Sequence, residues 1–499
     1  MNRSSLCLSL TGATVAENLK EIERYDCYCD LYELRADYLE PLSISALSSF
    51  PAQVKKPVII TVRRAADGGH FKGSEAERCG ILRRCLASGY RYIDLEEDFQ
   101  DQKIEQAAEA GGVTVIRSFH DFSGVPADLG RIIRNIKRNS GEVIKAAVMV
   151  QNTQELLKLV ELALELKAQD EWGNRIILGM GPMGFPTKVL STILGSSITY
   201  SYAPGRQAAP GHVDPQTLVD LYRFPLVNQN TRIFGVIGNP VIHSKSPWLH
   251  NRGFSLRAMD DAVYIPFQVD NLEAFFQLAE VLDIRGVSVT IPHKQGVIPF
   301  LSSRDEGVEA AGACNTIVWR DGLRRGYNTD ISGFMAPLKE SMGGAIPAGF
   351  RAAVIGAGGA ARAVVYALRK EGVEVLILNR TVERAQDLAV AFGCSYGSLE
   401  EQERIADFSD LIVQTTSVGM NRECPEYDPI PGYSFSGGEI VYDIIYIPRL
   451  TPLLKRAMDS GCRVINGWEM LIAQAGIQFR LFTGQDLLRE ANSGIADRY

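Results

Sequence analysis

A lysine stands inside an almost wholly apolar run, Val143-Ile144-Lys145-Ala146-Ala147-Val148-Met149-Val150. Burying an amine there is costly unless it has a partner or a task. Burial favours the neutral amine, the nucleophile of Schiff-base chemistry; a lysine snorkelling from an edge strand is the plainer reading. Other apolar runs also end in polar groups. Glu33 and Arg35 alternate about Leu34 and so face one side of a strand. Arg63 and Arg64 precede Asp67-Gly68-Gly69, Glu96 ends a further run, and His120-Asp121 follows the next. Taken alone, His120 reads as a structural histidine. Taken together, the set fits one chemistry: an amine captures a ketone, an imidazole moves a proton at the adjacent carbon, and guanidiniums hold a carboxylate.

A second constellation lies in the other half of the chain. Gly356-Ala357-Gly358-Gly359-Ala360-Ala361 follows the apolar run Ala352–Ile355 and opens a helical pattern, the setting a dinucleotide fingerprint requires. The next strand ends in Asn379-Arg380-Thr381, where an arginine in place of an acidic residue suits a ribose 2′-phosphate and therefore NADP(H). Thr415 to Met420, with Ser417, follows another apolar strand on the nicotinamide side. Upstream lie His243-Ser244-Lys245-Ser246-Pro247, then Thr290-Ile291-Pro292-His293-Lys294, Gly312-Ala313-Cys314-Asn315-Thr316 and Asn328-Thr329-Asp330. Hydroxyls, an amide, a lysine and an aspartate suit a polyhydroxylated, carboxylated substrate. Each cluster alone reads as turn or cap chemistry. His293 points away from its neighbour Lys294 on an extended segment and is not expected to be catalytic.

The elements that must carry these groups differ between the halves. Strand-like runs at Ser5–Leu10, Leu31–Arg35, Pro57–Arg63, Tyr92–Glu96, Val113–Ser118, Val143–Val150, Arg175–Met180 and Ile198–Ala203 alternate with helical stretches such as Ser74–Ser88 and Thr153–Ala168. Repeated βα units of this kind predict a parallel (β/α)8 TIM barrel, with an open doubly wound sheet as the alternative, and a barrel places catalytic groups where strands end. Tyr222–Arg232 reads as a linker, and the remainder as an α/β substrate lobe and a Rossmann-like lobe. Composition agrees with a soluble globular enzyme. Of 499 residues 46% are hydrophobic, and 52 basic against 59 acidic side chains give a net charge of −7, which argues against nucleic acid or an anionic membrane as partner. No apolar run approaches the ~20 residues of a membrane span. The nine scattered cysteines lack zinc-ligand spacing, so no metal is expected, and they read as reduced thiols of a cytoplasmic protein.

Glu33-Leu34-Arg35-Ala36-Asp37, Arg63 with its Gly-Gly loop, Ser118-Phe119-His120-Asp121 and Val143-Ile144-Lys145 resemble type I 3-dehydroquinate dehydratase over residues 1–222. The resemblance implies that Lys145 forms an imine with the ketone of 3-dehydroquinate. His120 would move the protons, Glu33 would orient His120, and Arg35 and Arg63 would contact substrate. Three features depart from the family: Asp67 stands in place of glutamate, Lys188 in place of arginine, and Ala208-Ala209-Pro210-Gly211-His212 in place of Ser-Ala-Pro-Gly-Gln. Lysine cannot reproduce arginine's bidentate grip on a carboxylate.

The later clusters, with Asn466-Gly467, Met470-Leu471 and Gln474, resemble shikimate dehydrogenase over 231–499. That resemblance implies a substrate lobe at 231–340, completed by 468–499, and an NADP lobe at 341–467. Ser244, Ser246, Thr290, Asn315, Asp330, Tyr446 and Gln474 would hold shikimate or 3-dehydroshikimate, with Lys294 and Asp330 as the catalytic pair. Gly356, Gly358, Gly359, Ala360, Ala361, Asn379, Arg380, Thr381, Thr415, Ser417 and Gly467 would line the cofactor. The two reactions are consecutive, so the whole chain resembles the bifunctional dehydratase–dehydrogenase of the shikimate pathway. A working dehydrogenase beside an impaired or regulatory dehydratase, and a quinate-directed variant, are the alternatives. Oligomeric state is left open.

Overall fold

The computed structural model describes residues 3–139, 141–169, 173–206, 213–420 and 427–492. By compactness they form two units, 1–247 with 258–284 and 248–257 with 285–499.

The first unit holds eight parallel strands: β1 (Ser5–Leu10), β2 (Leu31–Arg35), β3 (Val58–Thr61), β4 (Tyr92–Glu96), β5 (Thr114–Asp121), β6 (Val143–Met149), β7 (Arg175–Met180) and β8 (Ile198–Tyr202). β1 pairs with both β2 and β8, which closes the expected barrel and excludes the open sheet. Between β7 and β8 the ring closes through short links rather than a full ladder. The Ile177 N–H donates to Ser196 Oγ at 2.9 Å, and the Ser197 N–H donates to the Arg175 carbonyl at 2.7 Å. Two apolar layers hold the barrel. Cys7, Ile59, Ile116, Val143, Ile176 and Ile198 pack inside it. Leu8, Leu34, Ile60, Ile93 and Leu95 point outward under the surrounding helices.

Several strand boundaries differ from the sequence expectation by one residue or more, and two of the differences bear on the site. β5 runs on through Asp121 because β6 offers it partners, His120 facing Ala147 and Asp121 facing Val148. His120 therefore stands on a strand, not after one. β3 stops at Thr61 because the chain folds back, with the Phe71 N–H on the Arg63 carbonyl and the Gly69 N–H on that of Arg64. The helix Glu75–Leu86 starts at a reciprocal capping box between Ser74 and Glu77, and Thr153–Ala168 is helical as expected.

Tyr222–Arg232 is not a loose linker. Tyr222, Phe224 and Val227 are buried. Arg223 donates to the carbonyls of Met259 and Ala262 at 2.8 and 2.9 Å, which ties the segment to the strand pair that follows, β9 (Arg232–Gly238) and β10 (Ala262–Gln268).

In the second unit β11 (Ile284–Val289), β13 (Thr316–Arg320) and β14 (Leu323–Tyr327) pair antiparallel, and the short β12 (Ser303–Arg304) runs parallel to β14. A separate parallel sheet contains β15 (Arg351–Ile355), β16 (Glu374–Asn379), β17 (Ser395–Ser398), β18 (Leu411–Gln414), β19 (Ile440–Asp443) and β20 (Arg463–Asn466), ordered 17-16-15-18-19-20. This is the doubly wound dinucleotide-binding order, whose ligand crevice lies at the strand ends beside β15 and β18. Among the described residues no helix is long and apolar enough to cross a membrane.

The helix Gly181–Val189 carries Lys188 and leaves β7 through a close backbone crossing: a Cβ on Gly184 would lie 2.4 Å from the Gly179 carbonyl carbon. Backbone cannot yield as a side-chain tip can. Gly184→Ala should therefore cost about 1–3 kcal/mol, read as a lower melting transition of the barrel. An unchanged melting curve would remove this crossing from the barrel's packing requirements.

Candidate functional site

The C-terminal ends of the barrel strands surround a cavity lined by Glu33, Arg35, Arg63, Asp67, His120, Lys145, Lys188, Tyr200 and Tyr202. Strand geometry brings them together. β5 and β6 are in register with Ser118 opposite Lys145, and β4 and β5 with Glu96 opposite Ser118.

Asp94, on β4, is the residue through which these groups are joined. Its carboxylate accepts from Ser118 Oγ at 2.6 Å, Arg63 Nη2 at 2.7 Å and Lys145 Nζ at 3.0 Å. Burial alone would raise its pKa, but Arg63, Lys145 and His120 outweigh burial and hold it well below the usual carboxylate range. Sequence reasoning missed Asp94. The available signal was its spacing from Glu96, two positions apart and so on one face of the strand.

Lys145 is buried, as expected, and its burial is compensated. Besides Asp94 it has Glu33 at 4.0 Å and the Tyr200 ring centroid at 4.4 Å. Glu33 does not reach His120 through a hydrogen bond. Its two oxygens accept from Ser9 Oγ at 2.5 Å and Thr61 Oγ1 at 2.8 Å, and its nearest cation is Lys145. The structure thus places Glu33 against the amine, where the sequence reading had it orienting the imidazole. His120 has a buried Nδ1 with no hydrogen-bond partner. Burial, then the positive charges of Arg63 and Lys145, drive its pKa well below the ordinary histidine value. A neutral imidazole with an open nitrogen can take a proton.

The cavity's remaining cations are held in different ways. Arg35 forms a bidentate pair with Asp37 at 2.9 and 2.8 Å. Both terminal nitrogens of Arg63 are engaged, by Asp94, Glu96 and Ser118. Asp67 accepts from Arg64 Nε at 2.6 Å. Burial pushes the Lys188 amine down to about 8. His212 and Ala208 lie outside the described residues.

In the second unit Lys294 Nζ lies 2.6 Å from Asp330 Oδ2. Asn315 Nδ2 donates to Asp330 Oδ1 at 2.8 Å, to Thr329 Oγ1 at 2.9 Å and to Gln474 Oε1 at 3.2 Å. Local chemistry fixes these positions. Asn328 caps the helix Thr329–Ser341 through the Asp330 N–H, and the Cys314 N–H donates to the Lys294 carbonyl at 2.7 Å. Gln478, not foreseen from sequence, accepts from Ser288 Oγ and donates to Thr316 Oγ1, which braces β11 and β13 behind the site. Tyr446 is half-buried near Trp468, with ring centroids 6.4 Å apart. Ser244 and Ser246 belong to the first unit, where the Ser246 N–H meets Ser244 Oγ at 3.3 Å; Thr290 belongs to the second, and its carbonyl accepts the His293 N–H.

The glycine turn has the geometry a dinucleotide needs. Gly356 has φ +112°, and a Cβ there would lie 2.5 Å from Thr415 Oγ1. The helix Gly359–Lys370 begins at this turn, with Ala361 buried and open space at Gly358. A Cβ on Gly359 would come within 3.9 Å of the Lys294 side chain, so the turn and the Lys294–Asp330 pair share one cleft. Ala360 lies in the same first turn. Asn379 Nδ2 holds the Thr381 carbonyl at 2.8 Å, and Arg380 between them is exposed at the end of β16; Ser417 is exposed after β18. Gly467 has a packing reason of its own, since a Cβ there would lie 2.0 Å from the Ile444 carbonyl oxygen.

Both halves of the chain have relatives among known proteins. Residues 6–229 match the family model for type I 3-dehydroquinase, 236–317 that for the shikimate dehydrogenase substrate binding domain, and 345–421 that for shikimate / quinate 5-dehydrogenase. The chain is 31% identical over its full length, and over 85% of the relative, to the bifunctional 3-dehydroquinate dehydratase/shikimate dehydrogenase, chloroplastic, of Arabidopsis thaliana. It is 40% identical, over 52% of this chain and 94% of the relative, to the shikimate dehydrogenase (NADP(+)) of Caldanaerobacter subterraneus subsp. tengcongensis. A solved structure of dehydroquinate dehydratase and shikimate dehydrogenase from S. pombe AroM is 25% identical with TM-score 0.44, covering 98% of this chain and 97% of that one.

The state of His120 gives a pH test. With its folded pKa below the unfolded value of 6.5, the unfolded chain takes up a proton as pH falls through 6.5 while the folded chain does not. Stability relative to His120→Gln should therefore decline from pH 7 to 5, and the imidazole nitrogen resonances should stay neutral at pH 6. Protonation at the ordinary histidine pH would contradict this reading.

Proposed function

Because this chain belongs to the bifunctional 3-dehydroquinate dehydratase/shikimate dehydrogenase family, we propose that the two constellations are its two active sites. The barrel, 1–222, is assigned the dehydration of 3-dehydroquinate to 3-dehydroshikimate. Residues 231–340 with 468–499 form the substrate lobe, and 341–467 the NADP lobe, of the shikimate dehydrogenase. The Lys145 amine inside the cavity, 3.0 Å from Asp94 and in the same pocket as His120 with its unpartnered Nδ1, is the observation that carries the dehydratase reading.

In the dehydratase, the Lys145 amine adds to the ring ketone, and loss of water gives an iminium. His120 removes a proton from the adjacent carbon, and the electron pair moves into the iminium to form an enamine. The enamine expels the β-hydroxyl, which leaves as water with the proton that His120 returns. Hydrolysis of the imine frees the enone and the amine, so the net change is loss of one water. Asp94 and Glu33 stabilise the cationic nitrogen states. Lys188 and Arg35 supply positive charge for the substrate carboxylate. A weakened dehydratase is the second reading, favoured by the single-point charge of Lys188 and by the engagement of Asp67 with Arg64.

In the dehydrogenase, Lys294 donates a proton to the ring oxygen as the carbonyl becomes an alcohol, and Asp330 orients its ammonium. Asn315 and Gln474 fix the ring hydroxyls, with Ser244, Ser246, Thr290 and Tyr446 completing recognition. NADPH, when bound, supplies the hydride. The turn at Gly356–Ala361 would hold its pyrophosphate and Arg380 its 2′-phosphate. The scattered cysteines, free wherever described, keep a reducing, cytoplasmic setting within the proposal, whereas the Arabidopsis relative is named as chloroplastic.

Separate assays of the two half-reactions test these assignments. Lys145→Ala should abolish dehydration and the borohydride-trapped adduct while leaving shikimate oxidation intact; trapping at the wild-type level would overturn the imine. Lys294→Ala should do the converse, lowering kcat roughly 10²–10⁴-fold with a smaller change in KM. A change in KM alone would reduce Lys294 to a binding group. Arg380→Ala should raise KM for NADPH about tenfold and leave that for NADH unchanged; equal effects on both would remove it from 2′-phosphate recognition.

A further inference from the structure

Beyond the cavity wall, a row of buried charges continues away from Lys145. Asp94, 3.0 Å from Lys145, takes Arg63 Nη2 at 2.7 Å. Arg63 Nη1 reaches Glu96 Oε1 at 3.2 Å. The second oxygen of Glu96 accepts from Arg78 Nη1 at 2.7 Å, and Arg78 comes from the helix Glu75–Leu86 outside the barrel. Arg78 is 1% exposed and Glu96 2%. On its outer side Arg78 makes a bidentate pair with Glu75 at 2.9 and 2.8 Å, and its Nη1 also donates to the Val62 carbonyl at 3.2 Å. The Phe99 ring lies 5.2 Å from the guanidinium carbon and screens it from water. Signs alternate along the row: Lys145, Asp94, Arg63, Glu96, Arg78, Glu75.

Ordinary helix packing does not call for an arginine at such a buried position, where an apolar residue packs without a desolvation cost. The arrangement has a consequence at the amine. Glu96 faces two guanidiniums. If Arg78 is removed, Glu96 keeps its charge with Arg63 as its remaining direct ion-pair partner among the described residues, and Arg63 is drawn from Asp94 toward Glu96. Asp94 and Lys145 are then left closer to a net negative charge, and negative charge beside an amine favours its protonated, non-nucleophilic form.

We infer that Arg78 is a positioning residue of the dehydratase, acting through Glu96 and Arg63 to set the charge felt by Lys145. This rests on the imine reading of Lys145. The other charged or titratable groups around that amine are Glu33 and Arg35 from β2, His120 from β5, Tyr200 and Tyr202 from β8 and Cys7 from β1, with Asp67 and Lys188 across the cavity. None of them pairs with Arg78 or Glu96, so a change confined to the Arg78–Glu96 pair isolates the row.

The full-length chain supplies its own control, because shikimate oxidation by the other active site reports that the protein is folded. With that activity unchanged, Arg78→Met should lower dehydratase kcat about tenfold with a smaller change in KM. It should also move the acid limb of kcat, and of borohydride trapping by substrate, about half to one unit to higher pH. Glu96→Gln should move the limb the opposite way, and the double variant should return it toward the wild-type position. Arg78→Lys, which keeps the charge but loses the fork, should lower kcat without moving the limb. An acid limb unmoved in both Glu96→Gln and Arg78→Met, or moved the same way by both, would overturn the inference. If Arg78→Met does not fold, Glu96→Gln against Arg78→Lys decides by the same criterion. Loss of trapping in Lys145→Ala tests the imine separately, so failure of the row and failure of the imine are distinguishable.

Discussion

Three donors converge on the Asp94 carboxylate: a hydroxyl from β5, a guanidinium from the segment just after β3 and an amine from β6. The upper half of the barrel depends on this convergence. An isolated carboxylate or ammonium at that depth would cost several kcal/mol, and removing one member of such a buried pair typically costs about 3–5 kcal/mol because the other is left uncompensated. The groups are therefore mutually required. Asp94 permits Lys145 to be buried, Arg63 permits Asp94, and Glu96 with Ser118 completes the coordination of Arg63. Among the described groups of the cavity, His120 is the one whose buried nitrogen has no partner, which suits a group that must exchange protons.

The second centre solves a similar problem with fewer charges. One lysine–aspartate pair is fixed by an asparagine that reads three acceptors at once, and that asparagine sits where β13 begins after a buried turn. The close approach of Gly359 to Lys294 joins this pair to the dinucleotide turn. Chemistry at the ring and binding of the nucleotide are thus organised around one lysine backbone segment, held by the Cys314 N–H. The barrel distributes its acid, base and electrostatic roles over β2, β4, β5 and β6, whereas the dehydrogenase concentrates them on one turn and one helix start and leaves the redox step to its cofactor.

Residues whose burial is expensive were legible in the sequence. Lys145 in an apolar run and a glycine turn between strand and helix announce themselves, because each is disfavoured unless used. Asp94 was not legible for a physical reason. In Tyr92-Ile93-Asp94-Leu95-Glu96 the alternation reads as an apolar face inward and a polar face outward. A barrel reverses this locally: Ile93 and Leu95 pack outward under helices, and the acids face the axis. Arg78 and Arg223 were hidden for a related reason, since a long cation on a helix or in a connection looks solvated until its acceptors, far away in sequence, are in place. Glu33 was identified as a site residue but given the wrong neighbour. Strand alternation fixes which side it faces and not which of several facing groups it meets.

The join between β7 and β8 deserves a last consequence. Where every other pair of neighbouring barrel strands shares a ladder, this one is closed by two serine hydroxyls, Ser196 and Ser197, and one backbone bond between Ser197 and Arg175. Few hydrogen bonds must break for the ring to part there, so amide protection should be least persistent along this line while the opposite wall stays shut. The helix that begins at Gly181 and bears Lys188 springs from this joint. The wall with the fewest strand-to-strand bonds therefore carries the helix of Lys188, while the carboxylate lattice around Asp94 stands on β4 to β6.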